Sequence, residues 1–345
     1  MITKNSKTYL LPQAGNFYKA NLHCHSTVSD GKLSPEELKK IYKDEGYSVV
    51  AFTDHDVLVP HDDLRDEEFL PLHGYELEIT EEKALDFRFL KTAHMTLVAL
   101  DENNLTQICY HREKYFIGNG AKYRGEIKFD KSLPDFERKY TPECVNEVVK
   151  TAHEKGFFIT YCHPCWSLEN YNDYMNYHGF DAMEIYNNAS GVGGFGEYNA
   201  KIYDDMLRGG EKLFCVATDD NHNVHSIKHL MNDSFGGFVM IKAEALEYGD
   251  ITSALKRGDF YASQGPQFFD LYLKDGFVYA SFSPCVTAYI SCANRRTHVV
   301  CGEMGELITE AKLPVTEDDV YFRVTITDKR GRHANTRAYF IKDLI

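Results

Sequence analysis

Short apolar runs alternate with amphipathic stretches along the first two thirds of the chain, the pattern of a sheet assembled from βα units. "YKANLHCH" predicts a strand. The helix after it is marked at both ends: Ser34 stands at the N-cap, Pro35 at the first helical position, Glu37 completes a capping box and Gly46 stops it. "YSVVAFTDHD" predicts the second strand, and "LPLHGYELEIT", "HMTLVAL", "GFFITYCHP", "FDAMEIYNN" and "KLFCVATDDNH" predict five more. A second helix, from about Thr141 to Lys155, is capped by Thr141-Pro142 and ended by Gly156.

The rhythm breaks twice. From Asp101 to Tyr140 the chain is rich in tyrosine and charge with no clear strand, and reads as an insertion over one face of the barrel, where lids and substrate contacts sit. Past Gln264 the pattern turns to alternating strands joined by turn residues, Asp275-Gly276 in one hairpin and Asp328 to Gly331 in another. The expected organisation is an α/β barrel over residues 1–264, then a small antiparallel β domain over 265–345 given to packing and to a possible homo-oligomer.

The strand ends carry the chemistry. His23 and His25 end the first strand, with Asp30 in the following loop; His55 ends the second; Glu76 lies on the third; His94 opens the fourth; His163 ends the fifth; Asp220 and His222 end the seventh. In parallel α/β barrels the loops at the strands' C-terminal ends meet at one mouth, so ligands distant in sequence would converge. Residues i and i+2 of a strand share a face, which pairs His23 with His25 and leaves Cys24 to packing. "TDD" leaves Asp219 and Asp220 open, with Asp220 favoured. A lone histidine at a strand end is more often structural than a ligand, but six of fifteen histidines at such positions, with three carboxylates, point to a metal site. Imidazole mixed with carboxylate suits zinc, manganese or iron. His225, just past the last motif, stays open.

A formal net charge of -14 argues against nucleic acid or an anionic membrane as the main partner. No window approaches the ~20 apolar residues of a membrane span. Nine cysteines without zinc-finger spacing, after an N-terminal stretch lacking the apolar run of a signal peptide, suggest reduced thiols in the cytoplasm.

Taken in order, His-x-His, "TDH", "GYE", "CHP" and Asp-x-His resemble the PHP family, named for polymerase and histidinol phosphatase, over roughly residues 17 to 225. The resemblance implies a distorted TIM-like barrel of seven βα units with two or three divalent ions. It implies ligands at His23, His25, Asp30, His55, Glu76, His94, His163, Asp220 and His222, with Glu76 bridging two ions. Some members carry a histidine where Asp30 stands. The C-terminal domain, entered through "ALKRGDFYASQGP", looks like that of the carbaryl-hydrolase-like branch.

Three divalent ions would bring about +6 and three carboxylates about -3, a cationic site suited to a phosphate monoester. The expected activity is therefore hydrolysis of a small phosphorylated metabolite by a metal-bound hydroxide. His55, Asp56, Glu76 and His222 form the expected catalytic set; Asp54 and Asp56 flank His55, and either could orient an imidazole or take up a proton, with Asp56 the better placed. Arg88, Lys91 and Arg124 are candidates to hold the substrate anion, and Tyr186 and Asn187 lie where the sixth strand ends. The alternatives are a carbamate, amide or carboxylic ester hydrolase on the same metals, or a metal-stabilised interaction module.

Overall fold

A computed structural model describes residues 7–82 and 86–344. The first six residues of the N-terminal stretch lie outside the described residues. The seven anticipated strands are present: β1 Asn16–Asn21, β2 Val49–Phe52, β3 Leu70–Thr80, β4 Thr92–Ala99, β5 Phe157–Cys162, β6 Ala182–Asn187 and β7 Phe214–Thr218. They lie side by side in the order β7-β6-β5-β4-β3-β2-β1, and the same sheet continues through β8 (Phe238–Ala243) and β9 (Phe260–Ser263). The fold is mixed α/β around this large sheet.

The all-parallel expectation is corrected at β4, which runs antiparallel to both β3 and β5. Only residues 81 to 91 connect β3 to β4. A parallel return needs a crossover of a dozen or more residues, usually a helix, whereas the described part of this connection holds only the 3-10 turn Phe87–Phe89. Reversal has a chemical consequence: β4 begins at the rim where its neighbours end, so His94 stands opposite Glu78 of β3 and Cys162 of β5. The row's two ends also meet at that rim. Cys24 bridges Asn221, and the Asp220 N–H donates to the His23 carbonyl at 2.9 Å.

Local signals explain the helices. In α1 (Pro35–Asp44) the Ser34 hydroxyl accepts from the Glu37 N–H and the Glu37 carboxylate accepts from the Ser34 N–H, a complete capping box. Helix α2 (Pro142–Glu154), capped by Thr141, buries Val145, Val148, Val149 and Ala152, the one-face spacing of an amphipathic helix, in the core that holds Phe157 and Ile159 of β5.

In the C-terminal region Phe268–Lys274 and Phe277–Cys285 form a hairpin whose turn residues, Asp275 and Gly276, both adopt positive φ (50° and 75°), as a two-residue turn of this kind requires. Tyr321–Thr327 pairs with Thr287–Cys292 and with His333–Thr336, and the last of these pairs with β9. One sheet thus runs from this rim into the C-terminal region. No helix among the described residues is long and apolar enough to cross a membrane, and all nine cysteines are unpaired.

Candidate metal centre

Glu76, fully buried on β3, is the hub of the site. Its Oε1 lies 2.8 Å from His94 Nδ1, 3.2 Å from His163 Nε2 and 3.3 Å from His23 Nε2. Its Oε2 faces the other way, 3.0 Å from His55 Nδ1 and 3.3 Å from His25 Nε2. Asp220 spans the same divide: Oδ1 is 3.0 Å from His25 and 3.2 Å from His23, and Oδ2 is 3.7 Å from His163. Asp30 and His222 close the more open side, their side chains 3.5 Å apart. The nine residues anticipated as ligands are therefore gathered together, and Asp219 is not among them. It turns away to accept from Tyr42 and from the N–H groups of Phe235, Gly236 and Gly237.

Backbone turns aim these groups. His163 (φ 26°) and Asp220 (φ 53°) both leave their strands in the left-handed region, which costs a non-glycine residue on the order of 1 kcal/mol and persists where surrounding bonds hold it. Much of that hold comes from Glu184, a residue the strand-end pattern misses. Its carboxylate accepts from Thr218 (2.6 Å), from the His163 N–H (2.9 Å) and from Asn187 (2.9 Å), and lies 2.8 Å from His23 Nδ1. The sequence signal is a lone carboxylate inside the apolar run "AMEIY", which cannot be buried without partners. Asp54 has a matching role. It accepts from the backbone and hydroxyls of both Ser26 and Ser29, fixing the loop that carries Asp30.

Several anticipated residues stand elsewhere. The Asp56 carboxylate is buried in an ion pair with Arg138 rather than against an imidazole, because its positive φ (57°) swings it toward the insertion. Arg88 is exposed and pairs with Asp86, Lys91 pairs with Asp173 at 2.6 Å, and Arg124 stacks over Phe116. None of these three lines the cavity beside the cluster. The Tyr186 hydroxyl donates to Asn188, while Asn187 donates to Asp220 at 3.1 Å. His225 stacks on His229 outside the cluster. The insertion adds Ile117 to the cavity wall, and its Asn119 N–H donates to the Ser29 carbonyl beside Asp30 at 2.6 Å.

The donor set fits divalent metal ions. His25 Nδ1, His55 Nδ1, His94 Nε2 and Glu76 Oε2 are buried without a well-aligned hydrogen bond, although His55 Nδ1 lies 3.0 Å from Glu76 Oε2 and His94 Nε2 3.4 Å from Glu78, and a cation could accept the lone pairs left unused. Electrostatics agree. Burial alone would raise Glu76, but His94, His23 and His55 outweigh it and hold the carboxyl well below its usual range. Burial alone would lower His94 and His222; Glu76 and Asp30 overcome it and lift them to about 10 and about 9. A field that retains protons so strongly favours positive charge, and a divalent cation can replace those protons. Beside the cluster opens a cavity of about 350 Å³, walled also by Glu78, Phe87, Trp166, Ser190, Gly193 and Phe195.

Comparison with known proteins finds a partial family match and distant structural likenesses. Residues 21–143 match the PHP domain, a span that includes the candidate ligands from His23 to His94; His163, Asp220 and His222 come from beyond it. A 5'-3' exoribonuclease of Haemophilus influenzae is 49% identical over 45 residues, 13% of this chain, and the matched part spans only 16% of that relative. Among solved structures, a two-domain protein from Bacteroides vulgatus containing a predicted PHP-like metal-dependent phosphoesterase is 14% identical, with a TM-score of 0.43 over 99% of this chain and 91% of that one. An amidohydrolase from Chromobacterium violaceum with bound sulfate is 13% identical, with a TM-score of 0.38 over 59% of this chain and 87% of that one.

Proposed function

We propose that the chain is a metal-dependent phosphoesterase acting on small phosphorylated molecules. The observation that carries this reading is the convergence of five imidazoles around the two oxygens of Glu76, with Asp220, Asp30 and His222 beside them, next to an open cavity. We take the seven-strand row as a distorted barrel drawn together at this rim by the Cys24–Asn221 bridge. Zinc, manganese or iron held by the nine ligands would supply a nucleophile from water near neutral pH and offset phosphoryl charge. Glu76 and Asp220, each facing two groups of histidines, suit the role of joining two ion positions. Asp30 and His222, with side chains 30% and 27% exposed, are the ligand-set residues best placed to meet a substrate oxygen or pass a proton to a leaving group. Asn187, Glu184 and Asp54 orient the ligands.

The short match to an exoribonuclease supports a phosphate ester as the bond cleaved, while the net charge of -14 favours a small substrate over a polyanion. Nine unpaired thiols suit a reducing compartment such as the cytoplasm. The test is a panel of phosphate monoesters, aryl carbamates and carboxylic esters, run before and after chelation. Release of inorganic phosphate that chelator abolishes and added metal restores is the expected result. Cleavage of carbamates or esters without phosphate release replaces the reading with the alternative hydrolase.

A further inference from the structure

We propose that the cavity beside the ligand cluster holds a planar ring of the substrate against Trp166, an inference that rests on the hydrolase reading and names the part of the substrate remote from the bond cleaved. Trp166 is the only tryptophan of the chain, and it forms part of the cavity wall. Its indole meets His94 and His163 nearly edge-on, with centroids 5.3 Å and 5.1 Å away, and Phe87 extends the aromatic surface at 6.3 Å. The loop beneath it is fixed: the buried Glu197 carboxylate accepts the N–H groups of Cys165 (3.2 Å) and Trp166 (2.9 Å), and Asn199 donates to Glu197 at 2.7 Å. Little freedom remains to be lost when a ligand stacks there.

The remaining wall leaves room for such a ligand. Ala189 and Gly193 bring little side-chain volume, and Phe195 is 39% exposed. A cavity of about 350 Å³ is more than a phosphoryl group alone would fill, and its size falls within the range of small-molecule sites. No lysine or arginine among the described residues lines it. Aromatic rings in the wall favour offset or edge-to-face contact with a flat, uncharged group.

Because Trp166 is the only tryptophan, the intrinsic fluorescence of the metal-loaded protein reports on this wall independently of turnover. Two probe pairs separate the ring from the head group: phenylphosphonate with methylphosphonate, and benzohydroxamate with acetohydroxamate. The aromatic member should bind at least tenfold more tightly than its methyl counterpart and quench the tryptophan. By calorimetry that ratio should persist in Trp166→Phe and collapse in Trp166→Ala, at unchanged metal content. If only the hydroxamates bind and they keep the ratio, the phosphoester reading fails while the ring site stands. Equal affinities within each pair overturn the ring site, as does a ratio that survives in Trp166→Ala; so does failure of every probe to bind a protein with its full metal content.

Discussion

In the C-terminal region the side chains that meet inside are apolar: Leu271, Leu273, Val278, Phe282, Phe322, Val324 and Ile326 form one buried cluster, with partly exposed neighbours alternating along Phe268–Cys285. At the metal rim the buried side chains are instead imidazoles and carboxylates, and His23, His25 and Glu76 are as inaccessible as any leucine. The first region gains stability from removing apolar surface from water. The second opposes it, since charges and lone pairs are buried with part of their hydrogen-bonding capacity unused. One interior lies between the hairpin's separate four-stranded sheet and the large sheet, the other at the rim of the large sheet, which assigns stability to the C-terminal region and the apolar clusters beneath the rim.

Substitutions at the rim should therefore act on chemistry and those in the C-terminal core on folding. His25→Ala is expected to lower hydrolysis by more than the ~10–100-fold that loss of an outer-sphere partner costs, with little change in the unfolding midpoint. Steady-state rates beside denaturation curves check this. Phe322→Ala should do the reverse, costing about 3–5 kcal/mol of stability while activity per folded molecule is kept. Equal loss of stability in both variants would erase the distinction.

A third experiment probes a buried carboxylate away from the metal rim. Glu169 accepts hydroxyl hydrogens from Tyr140, Tyr161 and Tyr177, with Asp173 nearby; burial pushes its carboxyl up to about 7, and the tyrosine bonds only partly oppose this. The folded form thus holds a proton that the unfolded chain releases near the ordinary value of 4.5. The contribution is complete below about pH 4.5 and is lost as pH rises toward 7. Glu169→Gln should match the wild type near pH 5 and exceed it in stability by up to about 3 kcal/mol at pH 8. Denaturant unfolding at the two pH values measures the difference, and a constant offset would contradict it. The smallest effect is expected at Arg88→Ala: its side chain is 79% exposed and pairs with Asp86, so kcat/KM on any phosphate ester should change less than about twofold.

The same contrast explains what was legible beforehand. The C-terminal hairpins follow from alternation and from Asp275-Gly276, since strands with one wet face announce their period. Strand-end histidines were legible because a run such as "NLHCH" puts polar, metal-competent groups where an apolar strand would continue. The reversal of β4 was not read, although the shortness of the 81–91 connection carries it. Glu184 was hidden because it acts through partners far away in the chain, Thr218 among them, and Asp54, passed over in favour of Asp56, holds Ser26 and Ser29 rather than an imidazole. The cationic residues near the motif were misleading for a related reason: Arg88 pairs with neighbouring Asp86 and Lys91 with Asp173, far along the chain, and proximity in sequence says nothing of which way a side chain turns.

The central claim is that Glu76 joins metal positions at the rim, and elemental analysis of the purified protein beside Glu76→Gln tests it most directly. At least two divalent ions per chain in the wild type, and at least one fewer in a variant that remains folded, is the predicted result. A wild type without bound metal, or a variant that keeps the full complement, would contradict it.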